Sequence, residues 1–464
     1  MAASLLSPLK TPPPPRTLFS VLSALLLSLA AVILAPLFFA ASLLCLAVLL
    51  LTTLTGVGPL LQCFFARRDA ALLASLVEPA PGAPVRLVAG ARGARLAVRW
   101  SPGGRRALPV VIPNGLGATL VTIGGLHDRL VALGFSVLSY DRDGVGMSES
   151  ASAAPASAAE TVADMLAVLE AVAPGARWLV VGPSMGSIVS QAFLAVHPAR
   201  VAGFLNMDGL PFPFAAKRRR FELAAHVYTA YAWLVATGAV RAGLSFAGAA
   251  LEPLASAAFP RRVVLAQMNE RNFFASLARE MLTMLACADA ARAGWGAAYD
   301  LAALTAAGGV GAADVATLAS AEPAQCGDVR SGAWAPLPRS PAELGAAWAA
   351  AADVDAALAR MRAAHEAAGA KAAPLPGVFA GGLAVRVMSA RSYDFGAVGE
   401  LFYDEEMRGW GAAEHALHAR LAGARGARTV FPTRHHGQMF FSFEHVIADK
   451  VVEIDDDVAA GEKA

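Results

Sequence analysis

Trp178-Leu-Val-Val-Gly-Pro-Ser-Met-Gly-Ser187 reads as a buried strand, a very tight turn and the start of a helix. Trp178 to Val181 is a short apolar run with β-branched members, which suits a strand. Gly182-Pro-Ser-Met-Gly186 is the turn, and Ser187-Ile-Val-Ser-Gln-Ala-Phe-Leu-Ala-Val-His197 is the helix, stopped by Pro198. In that context the G-x-S-x-G pattern places its serine at strained backbone angles and leaves no room for a side chain at 182 or 186. The turn holds the Ser184 hydroxyl clear of the backbone. It also sets the Met185 N–H and the first helical turn beneath any negative charge forming beside that hydroxyl.

Around this stretch the chain alternates strands and helices. Val85 to Val88 and Arg95 to Trp100 suggest an opening hairpin. The apolar run Leu108-Pro-Val-Val-Ile112 leads into Pro113-Asn-Gly-Leu-Gly117, with a helix expected over about Ala118 to Leu133. Phe135 to Tyr140 is a strand ending at Asp141-Arg-Asp-Gly-Val-Gly-Met-Ser-Glu149, and Thr161 to Val172 a helix. Val201 to Met207 is a further strand, ending at Asp208-Gly209. This alternation predicts βαβ units and a parallel sheet, whose ligands bind beyond the carboxyl ends of the strands. The polar turns at 113–117, 141–149 and 182–186 all fall at that edge.

These motifs together resemble the first half of an α/β-hydrolase. The turn after the third strand, usually His-Gly-x-Gly, stands as Asn114-Gly-Leu-Gly117. The next loop, usually Asp-x-Arg-Gly-x-Gly-x-Ser, stands as Asp141-Arg-Asp-Gly-Val-Gly-Met-Ser148, and the elbow as Gly182-Pro-Ser-Met-Gly186. Asn114, Asp143 and Pro183 depart from the usual residues at positions that carry no chemistry in that family. The resemblance implies a mostly parallel α/β sheet flanked by helices, interrupted by a helical lid that shapes the acyl pocket. Residues 211–376 fit the lid, with helices expected over Lys217 to Thr237, Ala239 to Glu252, Arg261 to Ala293 and Pro341 to Ala368. The core is expected over 85–210 and 377–464. It resumes with strands at Leu383 to Ser389 and Ala427 to Phe431, then a last helix over Glu444 to Val452 before an acidic tail.

A serine hydroxyl needs a base within hydrogen-bond reach, and the base needs an orienting carboxylate. The family order is Ser, then Asp or Glu, then His. The resemblance assigns the nucleophile to Ser184 and the base to the loop after the final strand, where His435 and His436 stand. His436 fits better, because Glu444 follows eight residues on. Asp394 is the first acid after the strand at 383–389, with Asp404, Glu405, Glu406 and Asp208 in reserve. His127, His197, His226, His365, His415 and His418 fall on predicted helices and read as packing or surface residues; His445 falls inside the last helix. The N–H groups of Leu116 and Met185 are the expected oxyanion donors.

The remaining features bound the function. A net charge of +2 implies no polyanionic partner such as nucleic acid. Cys45, Cys63, Cys287 and Cys326 lie at wide spacings, and no His/Cys cluster has zinc spacing, so neither a disulfide framework nor a metal site is expected. The acyl-serine chemistry calls for no cofactor.

Thr17 to Ala66 contains no charged residue, in a chain that is 56% hydrophobic with mean hydropathy +0.52. That length suits two membrane helices, Leu18 to Leu34 and Leu37 to Leu54, broken at Pro36 into a transmembrane hairpin. Residues 1–66 are thus expected as a leader and membrane segment, and 67–84 as a linker. The combined expectation is an integral-membrane serine hydrolase of an apolar, lipid-like ester. The alternatives are an acyltransferase using the same acyl-serine and a catalytically silent membrane scaffold.

Overall fold

The computed structural model describes residues 51, 55–80, 82–209, 218–238, 240–241, 255–295, 325–326, 384–390, 428–431 and 444–461. The strands are β1 (Arg86–Ala89), β2 (Arg95–Ser101), β3 (Val110–Pro113), β4 (Val137–Tyr140), β5 (Trp178–Pro183), β6 (Val201–Met207), β7 (Gln325–Cys326), β8 (Ala384–Ala390) and β9 (Arg428–Phe431). They form one sheet in the order β1-β2-β4-β3-β5-β6-β8-β9-β7. β2 pairs antiparallel with β1 and β4, and every other pair is parallel. The expected hairpin and parallel sheet are therefore both present. β7 was not anticipated: it lies in the Ala/Gly-rich part of the expected insertion and pairs with β9 at the sheet edge.

Successive side chains of a strand point to opposite faces, and β5 shows the consequence. Trp178 and Val180 pack into one apolar layer with α3 (Ala158–Val172) and α4 (Met185–Val196), where Met165, Leu169, Ile188 and Phe193 are buried. Leu179 and Val181 pack into the opposite layer, against Leu126 and Leu130 of α2 (Gly124–Ala132) and Val446, Ile447 and Val451 of α8 (Glu444–Gly461). Two helices of the expected insertion, α5 (Arg218–Ala236) and α7 (Arg271–Trp295), extend the first layer, with Phe221, Met281 and Met284 buried in it. α7 packs along both α5 and α4. The predicted helix over 261–293 is divided into α6 (Arg261–Met268) and α7, with Asn269 closing α6 by a bond from its Nδ2 to Leu265 O at 2.8 Å.

Other boundaries moved for local reasons. α3 starts three residues earlier than expected because Ser157 and Glu160 form a reciprocal cap. The Ser157 hydroxyl accepts the Glu160 N–H at 3.2 Å, and the Glu160 carboxylate accepts the Ser157 N–H at 2.7 Å. α2 starts later, because Asp141 accepts the Leu120 N–H at 2.7 Å and holds 118–123 in turns. The expected acidic tail is helical as far as Gly461, and Arg106 bridges its Asp455 and Asp456. At the start of α5, Arg218 pairs with Asp289 and Glu222.

The membrane expectation is corrected. Among the described residues no helix is long and apolar enough to cross a membrane. The end of the uncharged stretch belongs to α1 (Val57–Ala74), which runs on through Arg67, Arg68 and Asp69. α1 is tied to the folded body by polar contacts that a bilayer span would not make. Gln62 is buried, donates to Asn269 O at 3.1 Å and accepts from Arg241 Nε at 3.0 Å, while Arg241 also pairs with Asp69. The proposed hairpin, apart from Leu51, lies outside the described residues. The anchor, the membrane partner and the integral-membrane localisation are accordingly withdrawn.

His127 illustrates a histidine used for packing. Its ring is fully buried, with Nε2 2.9 Å from Ser101 Oγ and Nδ1 3.0 Å from Ser139 Oγ. Burial, reinforced by the Arg99 cation, holds it well below the ordinary imidazole range. The folded protein thus keeps it neutral while the unfolded chain takes a proton below pH ~6.5. Its contribution to stability is full above that pH and falls by up to about 1.4 kcal/mol per unit as pH drops below it. The Asp141 carboxyl, raised to about 7 by burial, acts in the opposite sense. Comparing His127→Gln with wild type isolates the histidine: between pH 7 and 5 the unfolding free energy should decline more steeply in wild type. A second expectation concerns α8. Ile447→Ala in the fully buried layer should lower stability by about 2–5 kcal/mol in denaturant unfolding.

Candidate active site

The turn between β5 and α4 has the strained geometry that its sequence demands. Ser184 sits at φ 50°, ψ −119°, and the only other described non-glycine residue at positive φ is Asp208. Close packing enforces the strain. A Cβ on Gly182 would lie 2.6 Å from Ser187 Cα, and one on Gly186 would lie 1.9 Å from the Pro113 carbonyl oxygen. From the β6 side, a Cβ on Gly209 would meet Ser184 O at 2.2 Å. The Ser184 N–H donates to Met207 O at 2.8 Å, which ties the turn to the end of β6. Below it, Asn206 Oδ1 accepts from Ser187 Oγ at 2.8 Å and from the Gly209 N–H at 3.1 Å.

Ser184 is half-buried while Met185 beneath it is fully buried. Met185 opens α4, so its N–H is one of those a helix leaves unpaired at its start. The turn 114–117 stands alongside: a carbon added to Gly115 would lie 3.6 Å from Ser184 Cβ. Neither the Leu116 nor the Met185 N–H takes an acceptor among the described residues. Three expected participants are therefore brought to one place: Ser184, the Met185 N–H and the turn bearing Leu116.

Asp394 and His436 lie outside the described residues, as do Asp404, Glu405, Glu406 and His435. β8 and β9, the strands that precede them, join the sheet beside β6 in the order β6-β8-β9. The reserve acid Asp208 directly follows β6 at φ 56° and is buried. Glu444 opens α8 and faces the start of α2, where a Cβ on Gly125 would meet its Oε1 at 2.9 Å.

The departures from the family pattern have structural partners. Asn114 Nδ2 donates to Tyr140 O at 2.9 Å and to Asp141 Oδ1 at 3.3 Å. Asp143 pairs with Arg92 at 2.7 Å. Asp141, which also accepts the Met147 N–H at 3.0 Å, is the hub that fixes the 114–120 turn to the 141–149 loop. Sequence reasoning missed Arg142 and Glu280. They form a buried ion pair against the 114–117 turn, and only the tertiary arrangement of α7 reveals it.

A family model described as Serine aminopeptidase, S33 matches residues 104–207, which span both this turn and the elbow. The chain is an enzyme of the serine-hydrolase class. Solved structures to which the chain is similar include a carboxylesterase from Nitrososphaera gargenis, 11% identical, covering 81% of this chain and 99% of its own, at TM-score 0.42. An enol-lactonase from Burkholderia xenovorans is 15% identical, covering 79% of this chain and 98% of its own, at TM-score 0.41. The thioesterase domain of the curacin biosynthetic pathway is 12% identical with the same coverage and the same TM-score. No curated protein matches the chain.

Gly186→Ala tests the elbow geometry. Its methyl group would meet the Pro113 carbonyl, so the variant should be destabilised by at least about 1–3 kcal/mol in thermal or denaturant unfolding.

Proposed function

We propose that the protein hydrolyses a carboxylic ester through an acyl-Ser184 intermediate. The observation that carries this reading is the strained Ser184 beside the 114–117 turn, with the Leu116 and Met185 N–H groups taking no acceptor among the described residues. In the first half-reaction, Ser184 Oγ attacks the ester carbonyl carbon while His436 takes the hydroxyl proton. The carbonyl π pair moves onto oxygen, where the two N–H groups stabilise it. Each such donor is typically worth about 3 kcal/mol of barrier. Collapse of the tetrahedral species expels the alcohol, which leaves with the proton held by His436. Water then attacks the acyl-serine by the same route and releases the acid. Asp394 orients the imidazole and stabilises its protonated form.

α5 to α7 contribute helices from the segment expected to shape the acyl pocket. Turnover of p-nitrophenyl esters together with fluorophosphonate labelling tests the assignment. Ser184→Ala and His436→Ala should each lower turnover at least about a thousandfold, and Ser184→Ala should abolish labelling. Wild-type turnover surviving in Ser184→Ala would overturn it.

A further inference from the structure

We infer that Arg142 and Glu280 are positioning residues that set the direction of the Leu116 N–H, so that helix α7 forms part of the oxyanion machinery. The inference rests on the reading of Ser184 and Leu116 given above. Both side chains are only 6% exposed, and they are paired with each other. Arg142 Nε donates to Glu280 Oε1 at 2.6 Å. The two outer nitrogens of the guanidinium hold consecutive carbonyls: Nη1 bonds Asn114 O, and Nη2 bonds Gly115 O at 2.8 Å. The second Glu280 oxygen accepts the Gly117 N–H at 3.0 Å.

The consequence follows from peptide planarity. In a trans peptide the C=O and the following N–H point in opposite directions. Holding the Gly115 carbonyl therefore fixes where the Leu116 N–H points. Holding the Asn114 carbonyl fixes the Gly115 N–H in the same way, and holding the Gly117 N–H fixes the Leu116 carbonyl. Three consecutive peptide units are thus pinned by one ion pair, and rotation of the middle unit would replace a donor beside Ser184 with a carbonyl oxygen. α7 also fills the space above the turn, since a Cβ on Gly117 would lie 2.8 Å from Leu277 Cδ1. A shift of α7 would therefore carry the turn with it.

The test measures kcat and KM per active site, with sites counted by the endpoint of fluorophosphonate titration. Arg142→Lys keeps the charge but loses the planar fork that spans both carbonyls and Glu280 at once, and Glu280→Gln weakens the anchor on α7. Each should lower kcat per titrated site by roughly 10- to 100-fold at nearly unchanged KM, part of the loss seen when an oxyanion donor is removed. Affinity for a tetrahedral boronate should fall in parallel. Arg279→Ala is the matched control. Arg279 lies on the same helix and bonds Gly144 O, Ser150 and Ser152 rather than the turn, and its kcat per site should stay within twofold of wild type. If Arg142→Lys and Glu280→Gln reduce only the number of titratable sites, with kcat per site unchanged, the pair is merely structural and the proposal is overturned. An equal loss of kcat in Arg279→Ala would also overturn it. If Ser184→Ala retains turnover, the hydrolase reading fails and takes the proposal with it.

Discussion

The backbone of Ser184 is held where an L-residue does not rest by itself, and much of the surrounding structure exists to hold it there. Such a conformation typically costs about 1–3 kcal/mol and persists only where its surroundings over-determine it. Here the constraints come from three sides. Pro113 at the end of β3 closes on Gly186, Ser187 closes on Gly182, and Gly209 beyond β6 closes on Ser184 itself. The elbow is thus wedged between its two neighbouring strands, and the sheet order that makes β3 and β6 flank β5 is part of the site.

A second layer of constraint comes from buried charge. Asp141 and Arg142 are adjacent in sequence and point to different tasks. Asp141 gathers backbone N–H groups of Leu120 and Met147 together with the Asn114 amide, while Arg142 gathers carbonyls of the same 114–117 turn. A buried carboxylate and a buried guanidinium are each expensive to desolvate, and each is satisfied here by fixed backbone dipoles and by partners in the fold. Desolvation still dominates at Asp141, whose carboxyl is raised to about 7 despite its two N–H donors and the nearby Arg142.

The parts of this arrangement legible in the sequence are those that depend on local pattern. The apolar run at Trp178, the glycines at 182 and 186 and the helix stop at Pro198 are consequences of near-neighbour sterics. The Ser157…Glu160 cap is equally local. What could not be read depends on partners distant in sequence. The uncharged stretch from Thr17 to Ala66 reads as membrane by composition, and its composition does not reveal the polar contacts made by the helix in which it ends. Its last residues continue into a charged helix whose Gln62 and Asp69 bond Asn269 and Arg241. The acidic C-terminus looked like a tail until Arg106 supplied its countercharge. Arg142 at a variable motif position and Glu280 within a predicted helix carried no signal in isolation; their meaning is a distance between two elements.

The most direct test of the account is the crystal structure of the enzyme trapped as a phosphonate adduct. The account predicts phosphorus bonded to Ser184 Oγ, with the phosphoryl oxygen about 2.7–3.1 Å from the backbone nitrogens of both Leu116 and Met185. An adduct on another residue, or a phosphoryl oxygen turned away from these two N–H groups, would contradict it.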